Sequence, residues 1–199
     1  MMLIGLTGSI GMGKSATAEL FMAAGIAVFD SDACVHELYG PGGGAVAAVE
    51  GAFPGVAGPG GIDRRKLSAA LGADSEKFRA LEAIVHPLVN QCRAAFVLKC
   101  GARGDDLIIF DIPLLFETGG DGLVDKIVVV SAPDAVRRKR VLERPGMTAD
   151  KLDAIIARQM PDAEKRARAD YVVETSGGLD DAREQVDTVL ASLRANLDS

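Results

Sequence analysis

Near the start of the chain, Gly8-Ser9-Ile10-Gly11-Met12-Gly13-Lys14-Ser15 sets glycines, a lysine and a hydroxyl at the spacing GxxxxGK[ST]. Residue types in this pattern bind phosphate. The glycines let the backbone turn tightly, so that successive N–H groups converge into a nest for an anion. A helix beginning at Lys14 adds its positive N-terminal end. Lys14 can then reach the β- and γ-phosphates, and Ser15 can place its hydroxyl on Mg²⁺. The loop is read as holding a nucleoside triphosphate, ATP with Mg²⁺. Gly8, Gly11, Met12, Gly13, Lys14, Ser15 and Ala16 are its candidate ATP-binding residues, with Ser15 at the metal.

A triphosphate in the loop raises the question of what receives its phosphoryl group. Asp30 and Asp32 are expected to end the second strand, and Asp111 lies near the end of the third. In an open α/β sheet the ligand crevice lies beyond the carboxyl ends of the strands. A carboxylate there can accept an acceptor hydroxyl's proton or help hold the metal. The plainer alternative is that these acids are solvated turn formers. The densest basic run is Arg137-Arg138-Lys139-Arg140, followed by Arg144. Arg137, Arg140 and Arg144 share a helical face. Such a face is either solvated surface or a lid that brings guanidiniums onto a transferring phosphoryl group, and the Pro145-Gly146 break favours the lid.

These residues need strands and helices to place them. "MLIGL" reads as a buried strand running into the loop. A helix follows to about residue 24, with Ala18, Phe21 and Met22 on its apolar face and Gly25 as its stop. "IAVF", "LIIFDI", "KIVVV" and the weaker "YVVE" supply four more strands. Strands alternating with helices predict an α/β fold, a parallel five-stranded sheet flanked by helices. About seventy residues without a clear strand separate the second and third strands, too long for a simple connection. They are read as a helical insert whose last part has helical spacing at Leu81, Ile84, Val85, Leu88 and Val89. Its glycine-rich stretch "GPGGGAVAAVEGAFPGVAGPGG" is either a flexible linker or a set of ordered turns. Thr148 is placed to cap a helix, and a last helix from about Leu179 carries Ala182, Val186, Val189, Leu190 and Leu193 on one face.

The chain has 199 residues, a net charge of −6 and 48% hydrophobic residues, which fits one compact domain with inserted parts. Nothing in that charge favours nucleic acid or an anionic membrane. No apolar run approaches a membrane span, and the first positive charge is Lys14, so neither a membrane segment nor a secretory signal is expected. Cys34, Cys92 and Cys100 form no CxxC pair, and only His36 and His86 could join a zinc site, so reduced thiols in a cytoplasmic protein are expected. A guanine-reading NKxD motif is lacking: the two asparagines, Asn90 and Asn196, stand elsewhere. Further nucleotide-sensing motifs of a motor ATPase are also missing. What remains is a small-molecule kinase or a regulatory module that binds ATP and transfers little phosphate.

The chain resembles the dephospho-coenzyme A kinase family. The resemblance runs in order through "LTGSIGMGKS", "FDSD", "LEAIVHPLV", "DIPLLFE", "RRKRVLER", "IIARQM" and "ADYVV". It implies ATP-dependent phosphorylation of the ribose 3′-hydroxyl of dephospho-CoA, giving CoA and ADP, on a P-loop kinase fold with a helical CoA-binding insert and a lid. The implied parts are a nucleotide core at 1–32, 105–135 and 165–199, the insert at 33–104, and the lid at 136–164. Carried over by position, Asp32 is the catalytic carboxylate beside the acceptor ribose, Lys14 its partner at the phosphates, and Arg140 the lid arginine. Thr7 would sit beside phosphates and acceptor. Pro113, Leu114, Leu115 and Glu117 would line the acceptor side, with Arg64, Arg65 and His86 from the insert; His86 is more simply read as a structural cap. Dephospho-CoA and ATP are the expected ligands, with no nucleic acid or membrane partner, and the expected state is a monomer or weak homo-oligomer. The loop departs from the family at Ser9, Met12 and Ala16, and Ala16 removes a contact to the α-phosphate. His36 replaces a common arginine, making a contact there pH-dependent or removing it. Thr175 replaces an asparagine, so adenine recognition there would fall to backbone groups.

Overall fold

The structure is a computed structural model that describes residues 1–197. In chain order the elements are β1 (Met2–Thr7), α1 (Lys14–Ala23), β2 (Ala27–Asp30), α2 (Ser31–Tyr39), α3 (Val46–Ala52), β3 (Ala57–Gly58), β4 (Gly61–Ile62), α4 (Arg64–Leu71), α5 (Ser75–Arg103), β5 (Leu107–Asp111), β6 (Lys126–Ser131), α6 (Asp134–Leu142), α7 (Ala149–Ile156), α8 (Asp162–Arg168), β7 (Tyr171–Glu174) and α9 (Leu179–Leu197). Contacts divide the chain into two units, Met1–Phe29 with Cys100–Ser199, and Asp30–Lys99.

The first unit is built on the expected five-stranded sheet, in the order β2-β5-β1-β6-β7. β1 lies parallel to both β5 and β6, and β6 is parallel to β7. Period-two alternation sends the strand side chains to two faces. One face carries Ile4, Leu6, Leu107, Ile109, Val128, Val130 and Val173, packed with Ala18 and Phe21 of α1 and Val186, Val189, Leu190 and Leu193 of α9. The other gathers Ile127 and Val129 with Leu115 and Phe116 from the turn after β5. Burying a Val, Leu, Ile or Phe side chain is worth about 1.5–3 kcal/mol. These two layers therefore hold the strand ends, and the loops that leave them, in fixed register. Met22 departs from the sequence expectation: it is 49% exposed, and Thr17, Ala18, Leu20 and Phe21 form the buried face of α1.

The second unit is helical apart from the small antiparallel hairpin β3–β4. The glycine-rich stretch is a series of ordered turns around α3 and that hairpin, so a flexible linker is not what it forms. The Glu50 carboxylate helps to fix it, accepting from Gly55 N–H at 2.7 Å and Ala57 N–H at 2.6 Å. Gly61, at φ +90°, is required there, because a Cβ would fall 2.1 Å from the Tyr39 carbonyl oxygen. Asp63 caps α4 by accepting from Arg65 and Lys66 N–H groups. Val85 and Val89 are the buried members of the apolar stripe on α5. Burial, with help from the neighbouring Cys92 thiol, pushes Cys34 up to about 12, so it stays a protonated packing residue.

Candidate functional site

The site grows from the carboxyl end of β1, where Thr7 leads into the loop before α1. Gly11 and Gly13 adopt φ of +76° and +92°. A Cβ on Gly11 would lie 2.5 Å from Val141 Cγ2, and one on Gly13 would lie 3.0 Å from Thr175 Oγ1. Both conformation and space therefore demand glycine. Met12, a departure from the family loop, is 2% exposed, and its sulfur accepts from Ala132 N–H at 3.1 Å. The loop is thus anchored through its variable side chain to the end of β6. Ser15 and Ala16, in the first turn of α1, remain exposed.

Lys14 and Asp111 make a direct ion pair at the mouth of the loop, with side chains only 15% and 6% exposed. Asp111 is the last residue of β5, which pairs directly with β1, so the topology itself brings the carboxylate to the P-loop lysine. Thr7 Oγ1 donates to the Pro113 carbonyl at 3.2 Å, tying the end of β1 to the turn after β5. In that turn Leu114 is exposed, while Leu115 is fully buried in the core beneath the sheet. Glu117 turns inward to Lys165 of α8, with the ammonium 2.8 Å from Oε1, and also accepts from Met160 N–H at 2.8 Å. Burial raises the Glu117 carboxyl. The Lys165 ammonium and the backbone donors outweigh that, and it stays below the usual carboxylate range.

Arg140 is held at the base of the basic helix. Its guanidinium donates to Thr175 Oγ1 at 2.8 Å and to the Thr175 carbonyl at 2.7 Å. Thr175 Oγ1 in turn donates to the Met12 carbonyl at 2.8 Å. Thr175 therefore joins loop and basic helix through its side chain. Around it lies a cavity of about 310 Å³, walled by Gly13, Ala16, Arg140, Arg144, Thr175 and Leu179 among others. Arg137 pairs with Asp134, and Arg138 with Asp153 at 2.7 Å, which leaves Arg140 and Arg144 as the arginines of the run that face this cavity.

In the second unit, Asp30 and Asp32 are separated by a helix start. Asp30 closes β2 and caps α2, its Oδ1 accepting from Asp32 N–H at 2.8 Å and Ala33 N–H at 2.9 Å. Asp32 is not a strand residue as expected; it stands exposed in the first turn of α2, because the strand stops at Asp30 and the Asp30 cap starts the helix at Ser31. Arg64 and Arg65 are exposed at the start of α4, the Arg64 guanidinium 5.8 Å from the Tyr39 ring centroid. His86 is exposed in the middle of α5, so it caps no helix end. Sequence reasoning gave no role to Lys165 or Gln159, although Gln159 stood inside a quoted motif.

The sequence profile of the dephospho-CoA kinase family matches residues 2–181. The chain belongs to the dephospho-CoA kinase family. Dephospho-CoA kinase from Agrobacterium fabrum is 53% identical to it, with 98% of this chain and 100% of that one covered. The solved structure of TT1252 from Thermus thermophilus is 36% identical, with a TM-score of 0.82 over 96% of this chain and 97% of that one. Dephospho-CoA kinase from Campylobacter jejuni, at 20% identity, shares the fold with a TM-score of 0.66 over 96% of both chains. The enzyme is a P-loop kinase that uses ATP to phosphorylate dephospho-CoA, the last step of CoA biosynthesis. No helix among the described residues is long and apolar enough to cross a membrane.

Proposed function

We propose a division of labour for this dephospho-CoA kinase in which the loop between β1 and α1 cradles the β- and γ-phosphates while Lys14 leaves Asp111 for them. The observation that carries it is the Lys14–Asp111 ion pair beside the glycine loop. A cation already held there by one carboxylate is set to exchange that partner for a more highly charged anion. The hard oxygens of Ser15 and Asp111 suit Mg²⁺, and these two residues would hold it. When bound, Mg²⁺ neutralises charge on the β- and γ-phosphoryl oxygens. The adenosine enters the cavity walled by Arg140, Arg144 and Thr175, whose backbone and guanidinium donors orient it. Arg144, exposed and just past the end of α6, closes onto the phosphates as that segment moves, with Arg140 held at its base.

On the acceptor side, Asp32 is the base for the ribose 3′-hydroxyl. Asp30 has a local duty as the cap of α2, which leaves the exposed Asp32 carboxylate as the acid for the substrate. It follows β2 by two residues along the chain. Asp32 orients the hydroxyl oxygen and takes its proton as the new P–O bond forms. Arg64 and Arg65 offer two cations to the pyrophosphate of dephospho-CoA. The setting we infer for the reaction is the cytoplasm, a reducing compartment, and the free thiols of Cys34, Cys92 and Cys100 support that reading.

Asp32→Asn tests this reading. Asparagine keeps the size and can still bond the hydroxyl, but takes no proton. General-base catalysis is worth ~10²–10⁴-fold, and a loose phosphoryl-transfer transition state draws on the lower half of that range. Transfer to dephospho-CoA at saturating substrates should fall accordingly, while ATP affinity by calorimetry stays within about threefold, since a retained binding step loses less than one hydrogen bond. Unchanged transfer removes Asp32 from the mechanism, and loss of ATP binding makes it a metal holder.

A further inference from the structure

The segment that follows α7 grips the loops leaving three different strands within four residues. Gln159 Oε1 accepts from Ile10 N–H, inside the P-loop, at 3.1 Å. Met160 N–H donates to Glu117 in the turn after β5. Asp162 Oδ2 accepts from Ser131 Oγ, at the end of β6, at 2.7 Å. Ile10 sits between the two glycine-flanked bends of the loop, where the backbone has no helix or strand to fix it. Within the loop, the Met12 N–H to Ser9 carbonyl turn at 3.2 Å is its own internal bond. The side chain that fixes the Ile10 amide therefore comes from 149 residues away. Because that amide is a donor, the Gln159 atom facing it is the oxygen, which settles the orientation of the amide group.

We propose that Gln159 is a positioning residue for phosphoryl transfer: it holds the Ile10 amide and so sets the shape of the P-loop before ATP arrives. It touches no reacting atom. A phosphate nest works only when several N–H groups already converge, and order imposed in advance is not withdrawn from binding energy. Gln159 also walls a cavity of about 420 Å³ with Ser9, Met12, Asp134, Arg137 and Asp162. The loop and the segment after α7 thus enclose one space and share one tether. A movement of the segment after α7 is felt at the loop through this bond, and ATP settling in the loop is felt at the segment.

The assignment rests on reading the loop as the triphosphate cradle, which ATP binding to the unaltered enzyme tests by itself. Three forms are compared: the unaltered enzyme, Gln159→Leu, which keeps bulk and loses the acceptor, and Gln159→Glu, which keeps an acceptor for Ile10. One net hydrogen bond is worth about 0.5–1.5 kcal/mol, or roughly 2- to 10-fold. Gln159→Leu should lower kcat/KM for ATP by about that factor and leave KM for dephospho-CoA unchanged. In the ligand-free enzyme its Ile10 amide should exchange hydrogen faster, while Gln159→Glu keeps the slow exchange. Unaltered Ile10 exchange in Gln159→Leu overturns the proposal. So does an equal loss in both substrates' parameters accompanied by a fall in Tm, which would make Gln159 a residue of the fold alone. ATP binding absent from the unaltered enzyme would instead sink the reading of the loop.

Discussion

Among the lysines that pair with carboxylates, Lys14 and Lys165 differ most in their surroundings: one faces the phosphate-binding loop and the other is enclosed. Lys14 meets Asp111 at the mouth of the P-loop, with 15% of its side chain still open. Lys165 is fully enclosed 2.8 Å from Glu117, whose own side chain is 15% exposed, beneath the turn after β5. The first pair can be dissolved by an incoming triphosphate, because solvent and ligand reach it. The second has no competitor. Its cation is fully enclosed, and the pair's charges are met by each other and by backbone donors to Glu117, Met160 N–H among them. One lysine lies where a ligand can reach it, and the other is enclosed beneath the turn after β5.

The largest effect should come from breaking the closed pair. Lys165→Met leaves Glu117 as a buried carboxylate without its cation, and removing one partner of such a pair costs about 3–5 kcal/mol. Urea unfolding measures it. The double change Lys165→Met with Glu117→Gln should recover most of the loss, since no charge is then stranded. If the single change costs as little as a surface pair, the two lysines are not different in kind.

Next in size is the open pair. Lys14→Met should lower turnover by roughly 10²–10³, the usual worth of an electrostatic donor aimed at developing charge. Its cost in stability should be well below that of Lys165→Met, because the Lys14 ammonium is partly open to solvent and Asp111 keeps other partners. Activity and unfolding measured on both variants therefore cross over. Lys14→Met is folded and slow, and Lys165→Met is unstable, with whatever enzyme stays folded still turning over. A Lys14→Met enzyme near full turnover would remove the lysine from the phosphates.

The contrast also explains what could be read from the residues alone. The P-loop was legible because its chemistry is local: glycine, lysine and serine at fixed spacing say what they do. The sheet was legible because buried parallel strands are continuous apolar runs such as "LIIF" and "KIVVV". Lys165, Gln159 and the bridging hydroxyl of Thr175 were not. Their partners lie 48, 149 and 163 residues away, in Glu117, Ile10 and Met12, and only the folded sheet brings those loops together. Lys165 in particular stands among Glu164, Arg166 and Arg168, where composition suggests a solvated helix face. Met22 erred in the opposite sense, because an apolar residue one step beyond Phe21 belongs to the edge of the stripe and faces water. The second strand, expected to run on to Asp32, ends at Asp30 because a capping side chain, not the strand pattern, decides where α2 begins.

The smallest effect concerns acid, and it gives the comparison a sign. Glu117 lies below the usual carboxylate range in the folded enzyme, its pairing with Lys165 outweighing burial. In the unfolded chain it titrates near an ordinary glutamate, about 4.3. Its contribution to stability is then present above about pH 4.3 and is lost as the pH falls through the lower, folded value, where the folded carboxylate must take up a proton. One group contributes at most about 1.4 kcal/mol per pH unit to that slope. In Lys165→Met the cation is gone and only the backbone donors oppose burial, which moves the same carboxyl up from its value in the unaltered enzyme. Its penalty is then felt at neutral pH and relieved as the pH falls and the group becomes neutral. Urea midpoints between pH 4 and 7 should therefore show Lys165→Met approaching the unaltered enzyme on acidification, with Glu117→Gln removing the Glu117 part of the slope from both. Parallel curves at all pH values would mean that Lys165 does not hold the Glu117 charge, and that the pair is a packing contact between an aliphatic stem and a turn.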